Sequence, residues 1–271
     1  MPIPALLRAE LGISFDQPAG GGCINDCYRV SIGGVTRFLK TNSSDLAPAF
    51  AAEAEGLGAL RNAGTRVPAP LAHGVAGNRA YLLLEWLDLS AGKGFAALAR
   101  MLAALHRSTG PRFGWPRDNH IGRTPQVNGW RDDWSGFWVE CRLKPQLELA
   151  QRNGFRIALP SVKVLERHRP MPSLLHGDLW SGNAGFTPEG PVIFDPAVYY
   201  GDRETDLAMT ELFGGFPRAF YEAYHEAWPL DEGYDRRKPL YNLYHLLNHL
   251  NLFGGGYLAQ VQSTLRLLTL G

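Results

Sequence analysis

The chain has 271 residues, enough to bury a large core and to form one bilobal unit or two domains. A hydrophobic content of 45% with 20% charged residues is that of a soluble globular protein, and a net charge of +1 with no Lys/Arg cluster leaves no footprint for nucleic acid. No apolar run approaches the ~18 residues of a membrane span. The opening Met1-Pro2-Ile3-Pro4-Ala5-Leu6-Leu7-Arg8 lacks the basic region and long apolar core of a secretory signal. Cys23, Cys27 and Cys141 are odd in number and form no C-x-x-C pair, so a reducing, cytoplasmic setting is expected. The expected partners are small molecules, with no nucleic acid and no membrane, and the expected state is a monomer or weak homodimer.

Taken along the chain, residues 1–87 read as a small β-rich lobe. Gly20-Gly21-Gly22-Cys23-Ile24-Asn25 precedes two β-prone runs, residues 28–32 and 36–40, that flank Gly33-Gly34, a hairpin signal. Residues 49–60 are rich in Ala, Glu and Leu, with Phe50, Ala54, Leu57 and Leu60 at helical spacing. Val67-Pro68-Ala69-Pro70 ends that pattern, because proline cannot continue a helix and restricts the residue before it. Ala80-Tyr81-Leu82-Leu83-Leu84-Glu85 reads as a buried strand, and a lobe boundary is expected between Trp86 and Gly94. Residues 88–271 turn helical, with helices predicted over 95–106, 130–151, 205–213, 217–228, 235–252 and 257–268. The predicted fold class is α+β: a bilobal, protein-kinase-like arrangement of a small β-rich N-lobe and a mostly α-helical C-lobe.

The densest chemistry lies in His176-Gly177-Asp178-Leu179-Trp180-Ser181-Gly182-Asn183 and in Phe194-Asp195-Pro196. Apolar runs, Ser173-Leu174-Leu175 and Val192-Ile193-Phe194, lead into each, which reads as a strand, a polar loop, a hairpin return and a carboxylate at the strand's end. The H-x-D-x-x-x-x-N interval is the one by which protein kinases space a catalytic Asp and a metal-binding Asn. Asp178 is the candidate base, orienting an acceptor hydroxyl and receiving its proton. Asn183 and Asp195 supply the oxygen pair for Mg²⁺ on the phosphates of ATP. Taken singly, each acid reads equally as turn chemistry.

The remaining candidates are weaker alone. Lys40 could neutralise phosphate oxygens if a carboxylate held its stem, and Glu53 is preferred to Glu55 for that task; the bland alternative is a surface Lys and a solvated helix face. Gly21 and Gly22 could bring backbone amides to phosphate, although Gly20-Gly21-Gly22 matches neither G-x-G-x-x-G nor the P-loop pattern. Glu85, Trp86 and Leu87 would meet the adenine edge through backbone groups. Thr205 is a candidate N-cap and Asp206 a brace for the catalytic loop, while Asp202 and Glu204 would sit at the mouth of the site or simply answer the helix dipole. His245 and His249 have metal-compatible spacing but no third ligand, so a packed pair is the preferred reading. Trp115, Trp130, Trp134 and Trp138 read as core, with Trp180 the substrate-lining candidate.

These residues together resemble the fructosamine-3-kinase, or ketosamine kinase, family. The resemblance is carried by residues 175–183, by Asp195-Pro196-Ala197-Val198-Tyr199-Tyr200-Gly201-Asp202-Arg203-Glu204-Thr205-Asp206-Leu207-Ala208-Met209 and by Asp118-Asn119-His120-Ile121-Gly122-Arg123-Thr124-Pro125-Gln126 with Trp130 and Asp133-Trp134. The Gly-Gly-Gly-Cys-Ile-Asn segment and the Glu53/Leu57 helix match as well. Aminoglycoside phosphotransferases share only the His-Gly-Asp, Asn and Asp-Leu skeleton. The resemblance implies an ATP- and Mg²⁺-dependent kinase acting on the O3 hydroxyl of ketosamines, free or protein-bound. The 3-phosphate then breaks down and frees the amine, which is deglycation. Similarity to bacterial members points to ribulosamines or erythrulosamines before fructosamines. It also implies Asp178 as base, Asn183 and Asp195 on Mg²⁺, and Lys40 with Glu53 at the nucleotide. Ser181, where many relatives carry Gly, is a departure. Cys23 stands where relatives often carry Cys and would be a redox switch if exposed, or a small apolar turn residue if not. Two alternatives stay open: a small-molecule kinase for an aminoglycoside, choline or a sugar, and an inactive nucleotide-binding module.

Overall fold

The computed structural model describes residues 3–20, 24–89 and 94–270. Gly21, Gly22 and Cys23, singled out above for phosphate contact and redox sensing, lie outside the described residues.

The chain opens with helix α1 (Ala5–Leu11) and strands β1 (Ile13–Pro18), β2 (Asp26–Ile32) and β3 (Val35–Ser43). The hairpin between β2 and β3 closes through Gly33 and Gly34, whose φ values of 57° and 79° are those a tight primed turn requires. Helix α2 (Ala47–Asn62) follows, then β4 (Pro70–Ala76) and β5 (Arg79–Glu85). The five strands form one antiparallel sheet in the order β1-β2-β3-β5-β4. Leu7, Val30 and Leu39 are fully buried in a cluster with Ile3, Ile13 and Tyr28. Because side chains alternate across a strand, Lys40 leaves the opposite face from Leu39, where α2 packs with Phe50, Leu57 and Leu60 buried.

Beyond this sheet, α3 (Phe95–His106) buries Leu98, Leu102 and Leu105, and β6 (Asn119–Ile121) pairs with β7 (Thr124–Gln126). The helix predicted over residues 130–151 runs from Trp134 to Arg152 as α4 (Trp134–Trp138), a π-helical turn (Val139–Leu143) and α5 (Lys144–Arg152), so it starts later and is not regular throughout. Two local causes account for this. Asp133 caps α4 by accepting the Gly136 amide at 2.6 Å, and Pro145 lacks the N–H that would continue the regular ladder. The predicted tryptophan core holds for Trp115, Trp134 and Trp138, the last two 2% and 0% exposed and in ring contact with Tyr241, while Trp130 is half-buried.

Strand β8 (Ser173–Leu175) enters the His-Gly-Asp loop. The hairpin β9 (Ala184–Thr187) and β10 (Gly190–Ile193) follows, then β11 (Tyr199–Gly201), which pairs back on β8 with Tyr199 opposite Leu175. Helices α6 (Glu204–Leu212), α7 (Arg218–Ala227), α8 (Tyr234–Phe253) and α9 (Leu258–Leu270) complete the chain. None is long and apolar enough to cross a membrane among the described residues. Thr205, expected as the N-cap of α6, lies inside its first turn. Arg203 holds the N-cap position without a side-chain cap, and Asp202 before it closes the turn, its carboxylate accepting the Glu204 amide at 3.1 Å and its carbonyl the Thr205 hydroxyl at 2.8 Å.

Two compact units result, Met1–Gly94 with Gly182–Pro196, and Phe95–Ser181 with Ala197–Gly271. The β9–β10 hairpin belongs to the first unit although it follows the helical segment in sequence. Its Ile193 amide donates to the Arg66 carbonyl at 3.2 Å, beyond the end of α2. A division at 87/88 by sequence order assigns this hairpin to the helical lobe.

Candidate active site

In the helical unit the loop after β8 is fixed from below by one buried carboxylate. Asp206 Oδ2 accepts the His176 amide at 2.7 Å and Oδ1 accepts the Gly177 amide at 2.8 Å. Its Oδ2 also meets His106 Nε2 at 3.1 Å, and His106 Nδ1 meets the Tyr224 hydroxyl at 2.8 Å. Burial works to raise the Asp206 pKa, but the His106 hydrogen bond, the charges of His106 and His176 and the Gly177 amide hold it below the ordinary value. The loop is tied on its other side as the Ala197 amide donates to the His176 carbonyl at 2.8 Å. His106 and Tyr224 were not legible as site residues, since neither belongs to a local motif.

Gly177 is the point where this loop tolerates no side chain. Its φ is +82°, and a Cβ there would lie 2.1 Å from the Ala197 carbonyl oxygen, a backbone atom with no freedom to retreat. Left-handed backbone and overpacking add, so Gly177→Ala should destabilise the fold by about 3 kcal/mol. The midpoint of urea unfolding checks this; an unchanged midpoint would show that the loop is not held as described.

Asp178, one residue on, is partly open, with its side chain 21% exposed, and its amide donates to His176 Nδ1 at 3.3 Å. Trp180 presents its ring to solvent at 38% exposure, an unusual placement for a large aromatic in a loop so firmly anchored.

In the β-rich unit a second group assembles. Lys40 Nζ lies 2.7 Å from Glu53 Oε1 and also pairs with Asp195 Oδ1, so one ammonium serves two carboxylates. Lys40 is 3% exposed. Burial disfavours its charge, but Asp195 and Glu53 outweigh that and raise its pKa above the ordinary range. Asn183, 6% exposed, enters β9, and its carbonyl accepts the Phe194 amide at 3.1 Å across the hairpin. Asp195 has φ +59° and is the only non-glycine residue at positive φ among those described. Such strain, of the order of 1 kcal/mol for an Asp, persists where surrounding structure imposes it and gathers at functional sites.

Glu53 is pushed from an ordinary 4.5 up to about 7, by burial first and by the Asp195 charge, with Lys40 acting against both. A carboxyl with a raised folded-state pKa binds more protons folded than unfolded between the two values. Its contribution to stability therefore falls as pH rises from about 4.5 to about 7. In metal- and nucleotide-free protein the melting temperature should fall across that window more steeply for wild type than for Glu53→Gln. Parallel curves would remove the shared-ammonium account.

The other sequence-derived residues divide. Glu85 ends β5, its amide donating to the Ala69 carbonyl at 2.9 Å while its carboxylate accepts the Ala69 amide at 3.1 Å. The Trp86 ring lies under the Arg29 guanidinium at 5.3 Å, and Leu87 follows at intermediate exposure. Asp202 and Glu204, expected at the mouth of the site, are instead 1% exposed each and turned inward, which corrects that reading. Asp202 Oδ2 meets His168 at 2.7 Å and the Tyr241 hydroxyl at 2.6 Å, and Arg237 grips both oxygens of Glu204 at 2.6 and 2.7 Å. His168, Asp202 and Glu204 could together offer three ligand atoms to a metal. The Arg237 guanidinium already occupies both oxygens of Glu204, so that carboxylate ties α6 to α8. His249 is packed among Phe213, Phe253 and Tyr257.

A small antiparallel-sheet unit with a buried Lys–Glu pair, and a helical unit with a braced His-Gly-Asp loop, define a kinase-like phosphotransferase. The fold is shared with a thermostable mutant of the aminoglycoside phosphotransferase APH(4)-Ia, at a TM-score of 0.65 with 16% identity over 97% of this chain and 95% of that one. It is shared more fully with a crystal structure from Haemophilus somnus 129PT, provisionally named a fructosamine-3-kinase, at a TM-score of 0.87 and 31% identity over 97% and 95% of the two chains. A sequence profile of the fructosamine kinase family matches residues 5–270, and the chain belongs to that family. A "probable ketoamine kinase" of Synechocystis sp. PCC 6803 is 50% identical over 261 residues, 92% of this chain and 88% of the relative. One from Vibrio cholerae is 44% identical over 271 residues, 94% of each. The protein is thus a phosphotransferase, and its family carries ATP as substrate.

Proposed function

We propose that the chain transfers the terminal phosphoryl group of ATP to the O3 hydroxyl of a ketosamine, ribulosamine or erythrulosamine before fructosamine, and so initiates deglycation of the attached amine. The observation that carries this reading is a family match that runs through residues 5–270 and includes Lys40, Asp178, Asn183 and Asp195. In this reading Asp178 aligns the acceptor hydroxyl and takes its proton. Asp206 holds the backbone just before Asp178, through the His176 and Gly177 amides. Lys40, its flexible stem held by Glu53, neutralises phosphate oxygens. Asn183 and Asp195 are hard oxygen donors of the kind Mg²⁺ takes, and they would hold it. When bound, that ion would neutralise charge on the phosphates. The exposed Trp180 ring is suited to stacking on the sugar face of the acceptor.

The test is phosphorus NMR of the product from ATP and a synthetic ribulosamine, run beside erythrulosamine, fructosamine and an aminoglycoside panel with an ADP readout. A 3-phosphate on a ketosamine is the expected product. Turnover confined to aminoglycosides would overturn the acceptor while keeping the enzyme class.

A further inference from the structure

His245 lies on α8 and is 3% exposed. Its Nδ1 is buried and has no hydrogen-bond partner. Asp178 Oδ1 lies 3.9 Å from it, beyond hydrogen-bond length. A buried imidazole nitrogen without a partner is costly and uncommon, and where one is retained it calls for an explanation. The Asp178 carboxylate is partly open, while the imidazole is enclosed. Catalytic hydrogen bonds are often long in the unliganded enzyme and tighten when substrate arrives.

We propose that His245 is a positioning residue for the acceptor step: its Nδ1–H donates to Asp178 Oδ1 once substrate is bound, fixing the carboxylate so that its other oxygen receives the acceptor proton. This rests on the reading of Asp178 as the base. The partner is a neutral imidazole: burial first, then the neighbouring His249 and Arg142, depress its pKa to about 3, against the opposing Asp206 charge. A neutral donor orients a carboxylate without neutralising it, which keeps Asp178 able to accept a proton. The absence of a third ligand beside His245 and His249 favoured a packed or surface pair, and His249 is packed, with its Nδ1 on the His245 carbonyl at 2.8 Å. His245 does not, because its own ring nitrogen points at the catalytic loop.

Four proteins test this: His245→Leu, His245→Asn, Asp178→Asn and the double variant Asp178→Asn/His245→Leu, each assayed for kcat and KM with a ketosamine and ATP. His245→Leu removes an unpartnered polar atom, so its melting temperature should hold or rise. Its kcat should fall roughly 10- to 100-fold, the scale of a lost hydrogen bond to a charged group, with KM for acceptor little changed. His245→Asn keeps an N–H donor near the Nδ1 position and should recover most of the loss. In the Asp178→Asn background the Leu substitution should cost almost nothing further, since the group it positions is already gone. A His245→Leu enzyme with wild-type kcat, or equal losses with and without Asp178, would overturn the inference. Undiminished turnover in Asp178→Asn would instead overturn the assignment of the base.

Discussion

Asp178→Asn should lower kcat by roughly 10²- to 10⁴-fold, the range for loss of a positioned general base. The substitution keeps the side chain's size and a hydrogen-bonding group, while it removes the negative charge and with it the ability to receive a proton. The loop's backbone anchors, the His176 and Gly177 amides on Asp206 and the Ala197 amide on the His176 carbonyl, are untouched by the change. Melting temperature and acceptor KM should therefore stay close to wild type while turnover collapses. Single-turnover measurements would separate this from slowed product release. A loss below about tenfold would place the base elsewhere and leave Asp178 as turn chemistry.

The parts of the fold that were readable are those whose cause is local. Gly33-Gly34 between β-prone runs announced the β2–β3 hairpin. The preference for Glu53 over Glu55 followed from a helix presenting one face to β3, and Glu53 is the acid that Lys40 meets. Where the cause is distant, the reading failed. Asp202 and Glu204 look like ordinary helix-start acids because their partners, His168, Tyr241 and Arg237, stand 33 to 39 residues away in sequence. Nothing local says that an Arg will neutralise them in the interior. The departure from a regular helix over 130–151 was legible in principle, since Asp133 and Pro145 are both in plain view. An apolar periodicity that ran through them hid it. The assignment of Gly182–Pro196 to the sheet-containing unit could not be read at all, because a hairpin's docking partner leaves no mark on the hairpin's own sequence.

Asp195→Asn should have the second large effect, and it isolates charge from shape unusually well. Asp195 sits at φ +59°, where most residues are strained, but Asn tolerates left-handed backbone as readily as Asp, so the turn should survive. The Asn side chain can still accept a hydrogen bond from Lys40, and Glu53 remains to neutralise that ammonium. With one carboxylate fewer competing for Lys40, unfolding midpoints should change little. What is lost is the anionic oxygen proposed for Mg²⁺. A divalent ion on phosphates contributes several kcal/mol of charge stabilisation, so kcat should fall by roughly 10²- to 10³-fold at saturating ATP. The activity that remains should need markedly more Mg²⁺ for half-saturation, because an amide oxygen is a weaker ligand for a hard cation than a carboxylate. The decisive curve is turnover against Mg²⁺ concentration at fixed ATP. An unshifted Mg²⁺ midpoint with full turnover would remove Asp195 from the metal and leave its pairing with Lys40 as its whole role.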